Sequence, residues 1–131
     1  MQTLESKNIS ISRTTKGKLP SLPFVRLKDT ILGKNYNLSV AFVSPKEAQQ
    51  INIQSRGKDY VPNVLSFSLE KNEGELIMCL SQIRKETKKY EKRYDDLLLF
   101  LVIHGMLHLK GFDHGSTMEG LEEKYIKKFS F

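Results

Sequence analysis

Asp95-Asp96-Leu97-Leu98-Leu99-Phe100-Leu101-Val102-Ile103-His104-Gly105-Met106-Leu107-His108-Leu109-Lys110-Gly111 is the stretch on which the fold turns. Two carboxylates open it, where the positive end of a helix dipole stabilises them. Gly111 closes it with a residue free to take the left-handed conformation that ends helices. Between these marks the residues are almost all apolar, so the helix belongs inside the protein rather than on its surface. The longest unbroken apolar run, Leu97 to Ile103, is far too short to span a bilayer.

A buried helix needs partners, and the chain on either side supplies them. Val64-Leu65-Ser66-Phe67 and Leu76-Ile77-Met78-Cys79 are short β-rich runs, with Lys71-Asn72-Glu73-Gly74 as a hairpin connection. Ser44-Pro45-Lys46-Glu47 reads as a helix start: a capping Ser, Pro at the first helical position, and Glu47 completing a capping box. That helix is expected to run to about Gln54 and to break at Gly57. Leu38, Val40 and Phe42 alternate with their neighbours as a strand does, and so do Ile9 and Ile11, the expected first strand. Leu19 to Leu32 carries apolar residues at helical spacing and ends at Gly33. Ser81 to about Lys92 reads as a charged amphipathic helix, and Met118 to Lys128 as the last one. The order predicts an α+β fold: a small, mostly antiparallel or mixed sheet of about four strands with helices packed on it. Residues 1–131 are expected to form a single domain.

Net charge is +6, from 21 Lys and Arg against 15 Asp and Glu. Such a balance favours polyanionic partners, nucleic acid before acidic membrane. Cys79 is the only cysteine, which excludes an intrachain disulfide and a cysteine-rich zinc finger. Met1 to Ser12 lacks the apolar core of a signal peptide. A reduced, cytoplasmic, soluble protein without a membrane or disulfide partner is the expectation.

All three histidines of the chain fall between positions 104 and 114. His104 and His108 are four apart, so on a helix their rings leave the same face about one turn apart and can share one metal. Gly111 lets the chain leave the helix, so that His114 can swing back as third ligand. The site would then lie at the end of the central apolar helix. Three neutral ligands leave a position open for water, the mark of a catalytic rather than a structural zinc site. Bound zinc can bring the pKa of such a water to about 7. One zinc ion per chain is expected, although three imidazoles also accept nickel, copper or cobalt. The bland alternative is a buried helix whose histidines are only hydrogen-bonded.

The pattern His-x-x-x-His-x-x-Gly-x-x-His is the skeleton of the metzincin proteases, but Gly105 stands where those enzymes carry their general-base glutamate. Across its whole length, His104-Gly-x-Leu-His108-Leu-x-Gly111-Phe-Asp113-His114 instead resembles the signature of the YbeY family, bacterial zinc-dependent endoribonucleases of ribosomal RNA maturation. Asn52, Arg56-Gly57-Lys58-Asp59 and Val64-Leu65-Ser66-Phe67 follow the order and spacing of that family's second stretch, and Met118 and Glu122 match its C-terminal helix. Two positions depart: Asn63 stands where the family usually has Asp, and Gly74-Glu75 where it has Gly-Asp. The first puts in doubt a role for position 63 in proton transfer.

The resemblance implies a scissile phosphodiester in single-stranded RNA, precursor ribosomal RNA above all, with the ribosome or its proteins as partners. His104, His108 and His114 would hold the metal, His108 counting with Arg56 as catalytic. Arg56 would clamp the phosphate and stabilise its developing charge. Asp113 would orient a ligand ring as outer-shell partner or cap the turn that brings His114 around. The basic run Arg84, Lys85, Lys88, Lys89 and Lys92 can present charge to RNA phosphates or form a solvated helix face. Two other functions remain in play: a different metallohydrolase such as a peptidase, and a non-enzymatic, zinc-stabilised ribosome assembly or RNA-binding factor.

Overall fold

Alternation along the strands divides the interior in two. In the computed structural model, which describes the backbone of residues 2–6 and the whole of residues 8–130, five strands make one sheet. They are β1 (Gln2–Ser6), β2 (Ile9–Arg13), β3 (Asn37–Phe42), β4 (Val64–Glu70) and β5 (Glu73–Met78), arranged β1-β2-β3-β5-β4. The β2–β3 and β3–β5 pairs are parallel, and the two outer pairs antiparallel. Six helices accompany them: α1 (Phe24–Ile31), α2 (Pro45–Arg56), α3 (Leu80–Lys85), α4 (Thr87–Tyr90), α5 (Tyr94–Lys110) and α6 (Ser116–Phe129).

Ile11, Val40 and Leu76 stand in register across three strands and are fully buried. With Met78 they face the larger core, filled from the other side by residues of α1 and α5 such as Leu27, Ile31, Leu99 and Ile103. Ala41 and Ile77, which intervene on β3 and β5, face a smaller cluster with Leu65 of β4 and with Ala48 and Ile51 of α2. The sheet is thus covered on both faces, and the period of two in its strands follows from that. Helix α5 contacts α1, α3, α4, α6 and the β4–β5 pair, which is why Leu97 through Leu109 needed to be apolar almost all round. Each such Leu or Ile contributes about 1.5–3 kcal/mol by leaving water.

One close approach fixes how α5 lies on the sheet. A Cβ at Gly105 would stand 2.8 Å from Leu76 Cδ2 and 3.3 Å from Ser66 Oγ. Ser66 uses the space by donating its hydroxyl proton to the Gly105 carbonyl at 3.1 Å. Glycine at 105 therefore lets the histidine-bearing part of α5 sit against β4.

The α+β expectation holds, with local differences. Strand β1 lies outside the expected strands: its residues are mostly polar, and it pairs antiparallel with β2, which Asn8 precedes at φ 66°. The helix expected from Leu19 begins only at Phe24, because Pro20 and Pro23 disfavour helical geometry in the residues before them. Leu19 and Leu22 still pack against the core from an irregular segment. The β4–β5 connection is shorter than Lys71 to Gly74, since Glu73 already pairs with Glu70 and Asn37. The segment from Ser81 to Lys92 forms two short helices, separated at Glu86 and ended by Glu91 at φ 53°. Glu86 accepts hydrogen bonds there from Asn63 and Gln82.

Candidate metal centre

The last turns of α5 carry His104 and His108. Gly111, at φ 108°, ends the helix by donating to the carbonyls of His108 and Leu107, and Phe112 N–H also returns to Leu107. This left-handed closure turns the chain back, and the His114 ring comes within 5.1 Å of His104 and 4.8 Å of His108, centre to centre. Ring atoms able to ligate a metal, one from each histidine, lie within 4.8 Å of one another.

The partners of the rings say which nitrogens are free. His104 Nδ1 lies 2.7 Å from Glu122 Oε2, and His108 Nδ1 lies 3.0 Å from the Phe112 carbonyl oxygen. Both partners accept, so in neutral imidazoles the single proton of each ring sits on Nδ1 and the lone pair on Nε2. The two Nε2 atoms nevertheless face each other at 3.1 Å. With no proton between them, two lone pairs at that distance repel unless a cation separates them. Tetrahedral bonds of about 2.0–2.1 Å would hold such nitrogens roughly 3.3–3.4 Å apart. The donor set therefore fits zinc or a similar transition metal, with a ligand's ring held by a buried carboxylate as such sites require. Burial and the neighbouring His104 push the His108 pKa down, against an opposing pull from the Phe112 carbonyl. The ring that must be neutral to ligate is thereby kept so.

The three imidazoles open into a cavity of about 860 Å³ that is also lined by Arg56, Asn63, Ser66, Lys92, Glu119 and Glu123. Arg56 arrives from the far side of the sheet. The Ser44–Glu47 capping box starts α2, and Gly57, left-handed at φ 66°, stops it immediately after the arginine. Asn63 is committed to structure: its amide donates to Glu86 at 2.9 Å and its side-chain oxygen accepts from Val64 N–H at 2.6 Å.

Other sequence-picked residues scatter. Asp113 is exposed in the turn before His114, and its charge favours protonated His108; the carboxylate hydrogen-bonded to a ligand ring is Glu122, on α6. The basic run divides. Lys92 joins the metal cavity, with Nζ over the Phe100 ring, while Arg84 stacks on Tyr94 in a separate pocket. Lys85, Lys88 and Lys89 are exposed on α3 and α4. Glu122 was legible only as a residue of the last helix. Its place beside His104 depends on how α6 packs on α5, which no local spacing reveals. A glutamate at 105, which a metzincin mechanism asks for, would set its Cβ 2.8 Å from Leu76 Cδ2 and force that buried side chain to shift.

Fold and site together define the class: a mixed α+β protein with a three-imidazole site suited to a transition metal and open to a cavity. The family profile of endoribonuclease YbeY matches residues 3–130, and the chain belongs to that family. A Chromobacterium violaceum protein named endoribonuclease YbeY is 35% identical over 111 aligned residues, 75% of this chain and 66% of that protein. A Francisella philomiragia protein of the same name is 30% identical over 140 aligned residues, covering 95% of this chain and 89% of the relative. The chain thus spans just under two thirds of the length of the first relative and more of the second. The solution structure of a Thermotoga maritima protein superposes with a TM-score of 0.62 at 28% identity, over 92% of this chain and 88% of that one.

Proposed function

We propose that this chain, acting as a single metallohydrolase domain over residues 1–131, is a metal-dependent endoribonuclease that cleaves single-stranded RNA. Precursor ribosomal RNA is its substrate class, in ribosome maturation and quality control, with the ribosome as partner and the cytoplasm as setting. The observation that carries this is the convergence of three imidazoles on one cavity that Arg56 and Lys92 also line. Family membership supplies the RNA. No helix among the described residues is long and apolar enough to cross a membrane.

His104, His108 and His114 would hold one zinc ion per chain, which when bound supplies Lewis acidity toward a phosphoryl oxygen and toward water. Arg56 binds the scissile phosphate with its planar fork and matches the charge that develops on it. Lys92 adds a point charge on the same side. Glu122 holds the Nδ1 proton of His104 and so keeps Nε2 directed inward. Asp113, in the turn that carries His114, acts on His108 through its charge.

The test is a labelled single-stranded RNA incubated with metal-quantified wild-type protein and with His108→Ala, purified alike and matched by circular dichroism. Cutting by the wild type alone is the expected result. Equal cutting by both would assign the activity to a contaminant. A strand that is bound with zinc present yet stays whole would favour the RNA-binding factor over the nuclease.

A further inference from the structure

A second cavity, of about 430 Å³, lies between the segment after β2 and the start of α5. Arg13, Lys18 and Arg84 line it, together with Tyr94, Ser21 and the carboxylate of Asp95. Among the described residues the lysine or arginine ion pair is that of Lys28 with Asp29, so none neutralises these three cations. Two of them are nonetheless held in place. Arg13 donates from Nε to Thr15 Oγ1 at 2.9 Å and from one terminal nitrogen to the Lys18 carbonyl at 2.6 Å. Arg84 lies over the Tyr94 ring, its guanidinium carbon 4.0 Å from the centroid. Both guanidinium charges act on the Tyr94 phenol, opposing the upward push of burial. Like charges that face one cavity repel, and fixing their side chains forgoes the rotamer freedom with which surface cations avoid each other. Such a cluster is preorganised for an anion with several acceptor oxygens.

One segment of chain reaches both cavities. Tyr90 and Lys92 line the metal cavity and Arg84 and Tyr94 the second one, so the segment from 84 to 94 runs between them with Lys88 and Lys89 exposed upon it. We propose that the Arg13–Lys18–Arg84 pocket binds a backbone phosphate of the single-stranded RNA whose scissile bond occupies the metal cavity, a few nucleotides away along this basic segment. The site rests on the RNA-cleaving function above and adds to it a remote anchor that selects strands long enough to reach both cavities.

Anchoring is read from the salt dependence of binding. A fluorescein-labelled uridine 16-mer is titrated with full-length protein at several salt concentrations, and the recovered strand is sized to verify that it is whole. Lys18→Gln/Arg84→Gln removes two cations of the pocket and keeps Arg13 with its two loop bonds. Lys46→Gln/Lys71→Gln removes the same charge from exposed positions elsewhere, and circular dichroism verifies both folds. Each phosphate neutralised on a single strand contributes about 0.7 to the slope of log K against log salt. The pocket variant is expected to flatten that slope by about 0.7, the share of one phosphate, with the control close to wild type. Equal slopes for both variants would overturn the anchor while leaving RNA binding in place. A wild-type protein that does not hold the strand at all would overturn the anchor and the function beneath it. Should Lys18→Gln/Arg84→Gln not fold, Lys18→Gln alone is expected to flatten the slope by up to about 0.7, and an unchanged slope would refute the site.

Discussion

Removing the Glu122 carboxylate should loosen the metal before it harms the fold. Glu122 Oε2 sits 2.7 Å from His104 Nδ1, with the two side chains 9% and 18% exposed. At that distance and burial the carboxylate fixes the ring's tautomer and raises the basicity of Nε2, and loss of such a partner lowers metal affinity about 10- to 100-fold. That factor corresponds to about 1.4–2.7 kcal/mol. Glu122→Ala should show the full loss. Glu122→Gln keeps an acceptor oxygen without the charge and should fall between alanine and wild type. The assay is competition for zinc against a chromophoric chelator at fixed pH, on protein whose thermal midpoint has been recorded. Wild-type affinity in a folded Glu122→Ala protein would refute the reasoning, since the ring would then be oriented by something else. Wild-type affinity in Glu122→Gln beside the full loss in Glu122→Ala would mean that packing around α6, not the carboxylate's charge, was responsible.

Three further outcomes follow from particular contacts. Gly105→Ala places a Cβ 2.8 Å from Leu76, so urea unfolding should show a loss of about 1–3 kcal/mol from overpacking; a neutral result would mean that α5 can lift off the sheet. Arg56→Ala should reduce kcat for RNA cleavage about 10²- to 10³-fold, as loss of a charge-stabilising donor does, with zinc affinity unchanged in the chelator assay. The Glu47 pKa is held down by the Ser44 N–H first, then by the Thr14 and Ser44 hydroxyls. A depressed carboxylate contributes stability above its unfolded value of 4.5, and that contribution disappears as pH falls through the folded value. Glu47→Gln should therefore melt slightly below wild type at neutral pH, the gap closing in acid; a gap that persists below pH 4 would assign the difference to something other than the charge.

Local chemistry made some elements readable and left others silent. The capping box at Ser44 and Glu47 and the stop at Gly57 set α2 within two residues of expectation, because each mark acts on its neighbours alone. The same holds for α5, whose acidic opening and Gly111 closure are local. Strand β1 gave no signal, for its hydrogen bonds come from β2 rather than from an apolar pattern of its own. Apolar periodicity between Leu19 and Leu32 predicts a longer helix than Pro20 and Pro23 allow, and Leu19 and Leu22 reach the core without one. In the site, the histidine triad is visible because three residues able to hold a metal lie within one short window. Glu122, Lys92 and Ser66 gain their places beside it only when α6, the stretch after α4 and β4 pack around α5, so their roles are tertiary facts.

The central claim is that the three imidazoles make a metal-dependent cutting centre. It is tested most directly by measuring the initial rate of RNA cleavage against bound zinc per chain in a single preparation, stripped and then reloaded in steps. A metal centre predicts a rate that climbs in proportion to bound zinc, levels at one equivalent, and is absent from folded His104→Ala at every loading. A full rate in the stripped protein, or in the histidine variant, would contradict it.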